Sequence, residues 1–348
     1  MKAMVLTGIR QMAMMDVADP VIERDTDLLL RLTAIGVCGS DIHYYTTGRI
    51  GSQVVRYPFR VGHECAAVVE KTGRAVTAFK PGDRVAVDPA MWCGSCDQCL
   101  SGRFHTCRRL TFLGCPGQAE GCLSERLVMP AASCFKVPDS MSDEIAALVE
   151  PLSIGVYAAA QSVPLANAAV GILGSGPIGL SILLAARASG ARTFYVTDRI
   201  ESRLRAAAAA GAVWTGNPDR EDVVAAVTRA EPLLLDCVFE CCGKQEALDQ
   251  AIRLLKPGGT LMLVGIPSVD RVSFEIDLLR RREIRIQNVR RQNEKVHETI
   301  ALTASGAIQP GFMITHRFPF SQTKAAFDLV DAYSDGVIKA MIHFQERV

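Results

Sequence analysis

Residues 167–198 read NAAVGILGSGPIGLSILLAARASGARTFYVTD. Ala169–Leu173 is a short apolar run of strand type, and Gly174, Gly176 and Gly179 follow it as G-x-G-x-x-G. Leu180–Ala188 then has the composition of a helix, and Asp198 closes a second β-rich run, TFYV, nineteen residues past the last glycine.

Strand, glycine turn, helix and acid in that register predict a dinucleotide-binding βαβ unit. The glycines allow a tight turn and close approach of a pyrophosphate, the helix N-terminus offers N–H groups to phosphates, and the carboxylate suits a ribose 2′-hydroxyl. The expected architecture is therefore α/β, with a Rossmann doubly wound parallel-sheet domain. Asp198 would repel a 2′-phosphate and so favours NAD over NADP, although Arg199 beside it is a residue that could serve such a phosphate.

The alternation continues downstream. Leu233–Glu240 reads as a strand, and in KPGGTLMLVGIP (256–267) Leu261–Gly265 reads as another after a Pro-Gly-Gly turn. Helices are expected over Arg199–Ala210, ending at Gly211, and over Lys244–Leu255, ending before Pro257. The alanine run 206–210 is a helix face, and the chain shows no internal repeat.

At 348 residues there is room for two or three domains with cores of their own. The 38 Lys and Arg balance 37 Asp and Glu to a formal charge of +1, which gives no general attraction to nucleic acid or an anionic membrane. A small-molecule partner is expected. The start, MKAMVLTGIRQ, is broken by Thr7, Gly8 and Arg10 before it could act as a signal peptide. The uncharged run Ala168–Ala186 contains Gly174, Gly176, Pro177 and Gly179, so it reads as buried strand, turn and helix, not as a membrane span. Twelve cysteines without a secretory signal argue for thiols and metal ligation in the cytoplasm.

Four of those cysteines fall in MWCGSCDQCLSGRFHTC (91–107), as C-x2-C-x2-C-x7-C through Cys93, Cys96, Cys99 and Cys107. Gly94 and Gly102 ease tight turns. Four thiolates on a short loop suit a tetrahedral zinc with no position left for substrate, while an iron–sulfur cluster and four unrelated buried cysteines remain the other readings. A second constellation lies upstream, in GVCGSDIHYYTTGRIG (36–51) and VGHECAAVVE (61–70). Cys38, His63 and Glu64 supply a thiolate, an imidazole and a carboxylate, a set that suits zinc and leaves a fourth position open. Singly each is weak, since a lone Cys is commonly a core residue and a His-Glu pair commonly surface.

The order of these parts resembles the zinc-dependent medium-chain dehydrogenases/reductases over essentially the whole length, and within them the polyol branch of sorbitol and xylitol dehydrogenases. The resemblance is carried by CGSDIHYYTTGRIG, GHE, KPGDRVAVDP, the four-cysteine loop, EPLSIG (150–155) and GSGPIG. It implies a GroES-like, mainly β catalytic domain split into 1–152 and 289–348 around a Rossmann domain at 153–288. It implies two zinc ions per chain, a catalytic one on Cys38, His63 and Glu64 and a structural one on Cys93, Cys96, Cys99 and Cys107. Glu150 is implied to orient the water of the open site or to exchange onto the metal; its plain reading is a helix-start carboxylate beside Pro151.

Ser40 and His43 resemble the family's proton relay, although His43 is as readily a structural histidine. Asp41 could orient His63 or make a local turn contact. Gly174, Gly176, Pro177, Ile178, Gly179, Asp198, Arg199 and Arg203 are the implied cofactor-binding residues. Tyr44, Glu150 and Arg290 are the implied substrate contacts, with Gly48, Arg49, Ile50 and Gly51 completing the Tyr44 loop. The chain departs from the pattern at Arg291, where sorbitol dehydrogenases usually carry an aromatic residue, and a second cation there could favour a sugar acid or face solvent. Ala67 stands where many relatives have glycine, a packing variation, and Cys241 and Cys242 are expected in the core.

The expected activity is zinc-dependent oxidation of a polyol's secondary hydroxyl with hydride transfer to NAD. The alternatives are a sugar acid, a sugar phosphate or threonine as substrate, or a dinucleotide-binding protein without catalysis. HYYTTGRIG argues against threonine, and the four acid, thiol and imidazole ligands argue against loss of catalysis. A homotetramer or dimer built through the Rossmann domain is the family's assembly.

Overall fold

The computed structural model describes residues 1–267 and 269–344. They form two compact units, one of Met1–Glu150, Val296–Ala304 and the chain from Ile314, the other of Pro151–Lys295 and Ser305–Met313. The first break lies two residues from the border expected near 152, and the second lies seven residues beyond the one expected near 288. The first boundary falls inside one helix, Asp143–Ala160, which runs on through Pro151. The second lies beyond the last strand of the second unit because the chain stays attached there, Val289 N donating to Leu263 O at 2.9 Å.

In the second unit, among the described residues, a six-stranded sheet runs in the order Trp214–Gly216, Thr193–Thr197, Ala169–Leu173, Leu235–Glu240, Leu255–Leu263, Arg285–Asn288, every pair parallel. Counted along the chain that is 3-2-1-4-5-6, the doubly wound order, and the glycine turn leaves the sheet at the strand where the order reverses. The apolar run Ala169–Leu173 is buried almost throughout, as a strand covered on both faces requires.

The helix after the turn is Pro177–Ala188, three residues longer than the pattern from Leu180 suggested. Proline suits its first position, where φ is pre-set and the missing N–H has no helical partner to lose. The helices expected at 199–210 and 244–255 are Glu201–Ala209 and Gln245–Leu254.

The Pro-Gly-Gly turn is a correction. One strand, Leu255–Leu263, passes through Pro257, Gly258 and Gly259. Leu255 pairs with Leu235 and Thr260 next with Cys237, so a bulge absorbs the proline and a Gly258 at φ +77°. Lys256 forms an ion pair with Asp236, whose Oδ2 accepts from Ala169 N at 2.8 Å, and so three neighbouring strands are tied at one end.

The first unit is mainly β. Its central strand, Asp27–Gly36, pairs antiparallel with Glu64–Thr72, Arg126–Pro130 and Lys339–His343. The near-continuous apolar sequence LLLRLTAI fits burial on both faces. Arg84–Val87 and Cys134–Lys136 extend the sheet on one side, and Ile314–Pro319, parallel to Lys339–His343, on the other. The C-terminal segment thus supplies a strand next to the central one. Helix Gly39–Thr47 follows the central strand directly and is fixed by Tyr45, fully buried, whose Oη donates to Asp328 Oδ1 at 2.6 Å.

A Cβ built on Gly179 would stand 1.9 Å from Gly174 O, whereas one on Gly176 meets only Arg203 Nη1 at 3.3 Å. Gly179→Ala is therefore expected to cost about 1–3 kcal/mol of stability and to disrupt dinucleotide binding. Gly176→Ala should keep the melting temperature; thermal melts and NADH fluorescence titration compare the two.

Candidate active site and metal centres

Sheet register brings the open constellation together. Gly36 pairs with Glu64 across the central strands, so Cys38, two residues past Gly36, comes beside His63 and Glu64. A side chain at Gly36 would displace the Glu64 carboxylate, since a Cβ there would stand 2.3 Å from Glu64 Oε2. The ligand atoms of Cys38, His63 and Glu64 all lie within 4.8 Å of one another.

Asp41, fully buried, joins the two arms: Oδ2 accepts from Cys38 N at 3.2 Å, and Oδ1 accepts from Gly62 N at 3.1 Å and lies 3.3 Å from His63 Nδ1. Both readings of Asp41, turn contact and His63 partner, are thus realised at once. With Nδ1 facing Asp41, Nε2 is the nitrogen left for a metal. Ser40 Oγ donates to Cys38 Sγ at 3.3 Å, and the Phe112 ring packs 5.3 Å from that of His63.

Glu150 is buried in the middle of helix Asp143–Ala160, eighth in a helix whose first turn holds Asp143 and Glu144. This corrects the helix-start reading, because the helix begins well before Pro151 and continues past it. Burial pushes the Glu150 carboxyl up to about 7, against the pull of His63, with Glu64 and Asp88 adding to the rise. Burial alone would lower the His63 imidazole, yet Asp41 and Cys38 hold it well above its usual value. The Glu150 rise records burial first and the neighbouring acids second, the His63 rise records the negative charge of Asp41 and Cys38, and a dication placed among these groups would relieve both. The donor set and its electrostatics therefore fit a zinc ion with one position open.

Lys339 was missed by the sequence reading. Buried at 1% exposure, its Nζ donates to Glu64 Oε1 (2.8 Å), Glu64 Oε2 (2.6 Å) and Val37 O (3.0 Å). Burial works against its charge, but Glu64 and Cys38 raise its pKa. The available signal was one lysine inside the apolar run VIKAMIHF (337–344).

In the four-cysteine loop, Sγ–Sγ distances are 3.6 Å for Cys96–Cys99 and 3.9 Å for Cys93–Cys99 and Cys96–Cys107. Zinc–sulfur bonds of about 2.3 Å in a tetrahedron give sulfur separations of about 3.8 Å, so the four residues fit a closed zinc site. All twelve cysteines are free thiols. N–H groups already point at the sulfurs: Cys93 N and Arg109 N donate to Cys107 Sγ at 3.3 and 3.4 Å. The Ser95 N–H heads the interactions that lower the Cys93 thiol to about 5, whereas burial raises Cys99 to about 12.

In the second unit, Gly174 (φ +101°) turns the chain and Gly176 caps helix Pro177–Ala188, leaving Pro177, Ile178 and Gly179 in its first turn. Asp198 sits against this turn, with Oδ2 accepting from Ser175 N at 2.7 Å and Oδ1 from Ile200 N at 2.9 Å. Arg199 is 71% exposed and donates to Asp219 Oδ2 at 2.6 Å. Arg203 lies beside Gly176.

Tyr44 is buried, its Oη donating to Gln53 Oε1 at 3.0 Å, while His43 is on the exposed side of the same helix. Arg290 is exposed and Arg291 half-buried with φ +56°. Ala67 is buried. Cys241 and Cys242 correct the core expectation, being half-buried and exposed respectively, because the chain leaves the strand at Glu240, whose Oε1 accepts from Cys242 N.

Comparison with known proteins matches residues 24–139 to the alcohol dehydrogenase GroES-like domain and residues 177–305 to the zinc-binding dehydrogenase family. The chain is 36% identical to a sorbitol dehydrogenase of Bacillus subtilis (strain 168), over 99% of this chain and 97% of that protein. It is 35% identical to an L-idonate 5-dehydrogenase of Vitis vinifera, over 91% and 88%. Among solved structures it resembles a putative zinc-binding dehydrogenase of Sinorhizobium meliloti 1021 bound to NADP, with TM-score 0.89, 30% identity and 98% of both chains covered.

Two substitutions separate the metal centres. Cys107→Ser should remove one zinc per chain and lower the melting temperature, since a closed site holds its loop together. Cys38→Ser should remove the other zinc with little change in melting, and cut turnover about 100-fold or more. Elemental analysis, thermal melts and initial rates on both variants check this.

Proposed function

Since this chain belongs to the zinc-dependent medium-chain dehydrogenases/reductases, in their polyol branch, and is an oxidoreductase working with zinc and a nicotinamide dinucleotide, we propose that it oxidises a secondary hydroxyl of a sorbitol- or xylitol-like polyol to a ketone. The hydride goes to NAD and one proton to water. The carrying observation is the open cluster, Cys38, His63 and Glu64 within 4.8 Å, with buried Glu150 electrostatically tied to His63 and Glu64.

When bound, zinc would act as a Lewis acid on the substrate hydroxyl and the nicotinamide would accept hydride. Cys38, His63 and Glu64 would hold this metal, and Cys93, Cys96, Cys99 and Cys107 would hold a second, structural one. Asp41 keeps a proton on His63 Nδ1 and so fixes the tautomer. Glu150, a buried carboxyl beside the metal ligands, is placed to orient the water of the open position or to pass a proton from the substrate hydroxyl. Ser40 lies against the Cys38 sulfur, and His43, exposed one helical turn on, continues a route to water. Within the first unit, buried Tyr44 and Glu150 would be the residues that contact the substrate.

The preference for NAD is supported by Asp198. Two backbone N–H groups pin its carboxylate, so it cannot swing away from an incoming 2′-phosphate, and Arg199 is engaged by Asp219. A second reading, oxidation of a sugar acid, draws on Arg291, which is half-buried and so does not simply face solvent, and on the L-idonate 5-dehydrogenase relative. No helix among the described residues is long and apolar enough to cross a membrane, and twelve free thiols support a cytoplasmic location. The strand Arg285–Asn288 ends its sheet with all four residues exposed, an edge suited to pairing with a second copy in a dimer or tetramer.

Initial rates with sorbitol, xylitol, ribitol, galactitol, aldonates and threonine, with NAD and NADP, are expected to show polyol oxidation that a zinc chelator abolishes. Aldonate-only turnover would move the specificity to Arg290 and Arg291, and inactivity on all would reject the polyol reading. Sedimentation of Ile286→Lys, placing charge on the exposed edge, should shift the wild-type oligomer toward monomer.

A further inference from the structure

We propose that Lys339 is a positioning residue of the open metal site, its ammonium clamping the Cys38 arm to the Glu64 arm. The inference rests on the reading of Cys38, His63 and Glu64 as metal ligands. Lys339 begins the strand Lys339–His343, which pairs with the central strand through Met341 and Gly36 and continues through Val37 N donating to Ala340 O at 3.0 Å. That register sets the lysine opposite the end of the central strand, next to the arms it joins.

An ammonium has three donors, and here each has an acceptor: Val37 O, Glu64 Oε1 and Glu64 Oε2. Val37 immediately precedes Cys38, so one cation fixes the peptide entering one ligand and the carboxylate of another. Each carboxylate oxygen keeps a further lone pair, so Glu64 can be held by Lys339 and still offer itself to a metal. The neighbours Ile338, Ala340, Met341 and Ile342 are buried apolar side chains, and another apolar side chain would fill this place at no desolvation cost of its own. What a hydrocarbon could not do is orient Glu64. Asp41 performs the matching task on the other side, joining Cys38 N to His63, so all three ligand arms are held before metal arrives.

The test is Lys339→Met, read by zinc content per chain after dialysis against chelators of graded strength, and by cobalt substitution. The four-sulfur loop and the single-thiolate site give cobalt spectra of different sulfur charge-transfer intensity. The expected result is about 10–100-fold weaker metal binding at the open site. The four-cysteine loop should hold its metal as in the unsubstituted protein, and Lys339→Arg should recover part of the loss. Lys339→Met that resists chelation at both sites like the unsubstituted protein overturns the proposal. Parallel loss of both metals also overturns it, since the lysine would then hold up the whole unit. If Lys339→Met does not fold, Lys339→Gln, which keeps a donor without the charge, takes the same readings, and failure of both to fold in zinc counts against a positioning role. An unsubstituted chain that binds metal only at the four-cysteine loop rejects the underlying metal reading and is told apart from these outcomes at the start.

Discussion

Gly36 pairs with Glu64 across the middle of the first unit's sheet, and the missing side chain at Gly36 is what lets the Glu64 carboxylate lie over the central strand. From that pairing the rest of the open site follows. Cys38 comes two residues later at the start of helix Gly39–Thr47, and His63 one residue before Glu64. A slip of one residue in this ladder would turn Glu64 to the opposite face and separate the three donors. The close pairing at Gly36, whose missing side chain leaves room for the Glu64 carboxylate, marks this register, since a slip would set a side chain in that space.

Charge balance is the second constraint. Glu64, Glu150, Asp41 and Asp88 are all buried in the same unit, and so many carboxylates out of water would be costly without compensation. Backbone N–H groups satisfy Asp41 and Asp88, with Ala90 N donating to Asp88 Oδ1 at 3.0 Å. Lys339 compensates Glu64 with a full charge. Glu150 takes the other route, a carboxyl raised to about 7. A site built this way attracts a dication and yet folds around its own lysine.

Most of the fold was legible because its signals are local. The strand, glycine turn and helix at 169–188 lie next to one another in the chain, and the parallel order follows once that unit is placed. The four-cysteine loop was legible for the same reason, since all four ligands fall within fifteen residues and need no distant partner. Pro257–Gly259 misled because a proline and two glycines are as compatible with a bulge as with a turn, and only the pairing of Leu255 with Leu235 and Thr260 with Cys237 distinguishes them. Glu150 was legible as an acid in the right motif, but not as a mid-helix residue, because Pro151 looks like a helix start wherever it stands.

Lys339 shows where local reading ends. It sits 275 residues from Glu64 and 302 from Val37, and nothing between them in the sequence indicates that they meet. What the sequence did contain was an inconsistency, a lysine flanked by apolar residues on both sides, Val337 and Ile338 before it and Ala340, Met341 and Ile342 after it. A buried cation in such a run has to find an anion, and the acids with the strongest need of one are those already crowded around Cys38 and His63. The split of the first unit between N-terminal and C-terminal segments thus has a chemical consequence. The returning C-terminal strand brings the cation that the N-terminal ligands lack, so the site's charge is completed only when the last part of the chain has docked.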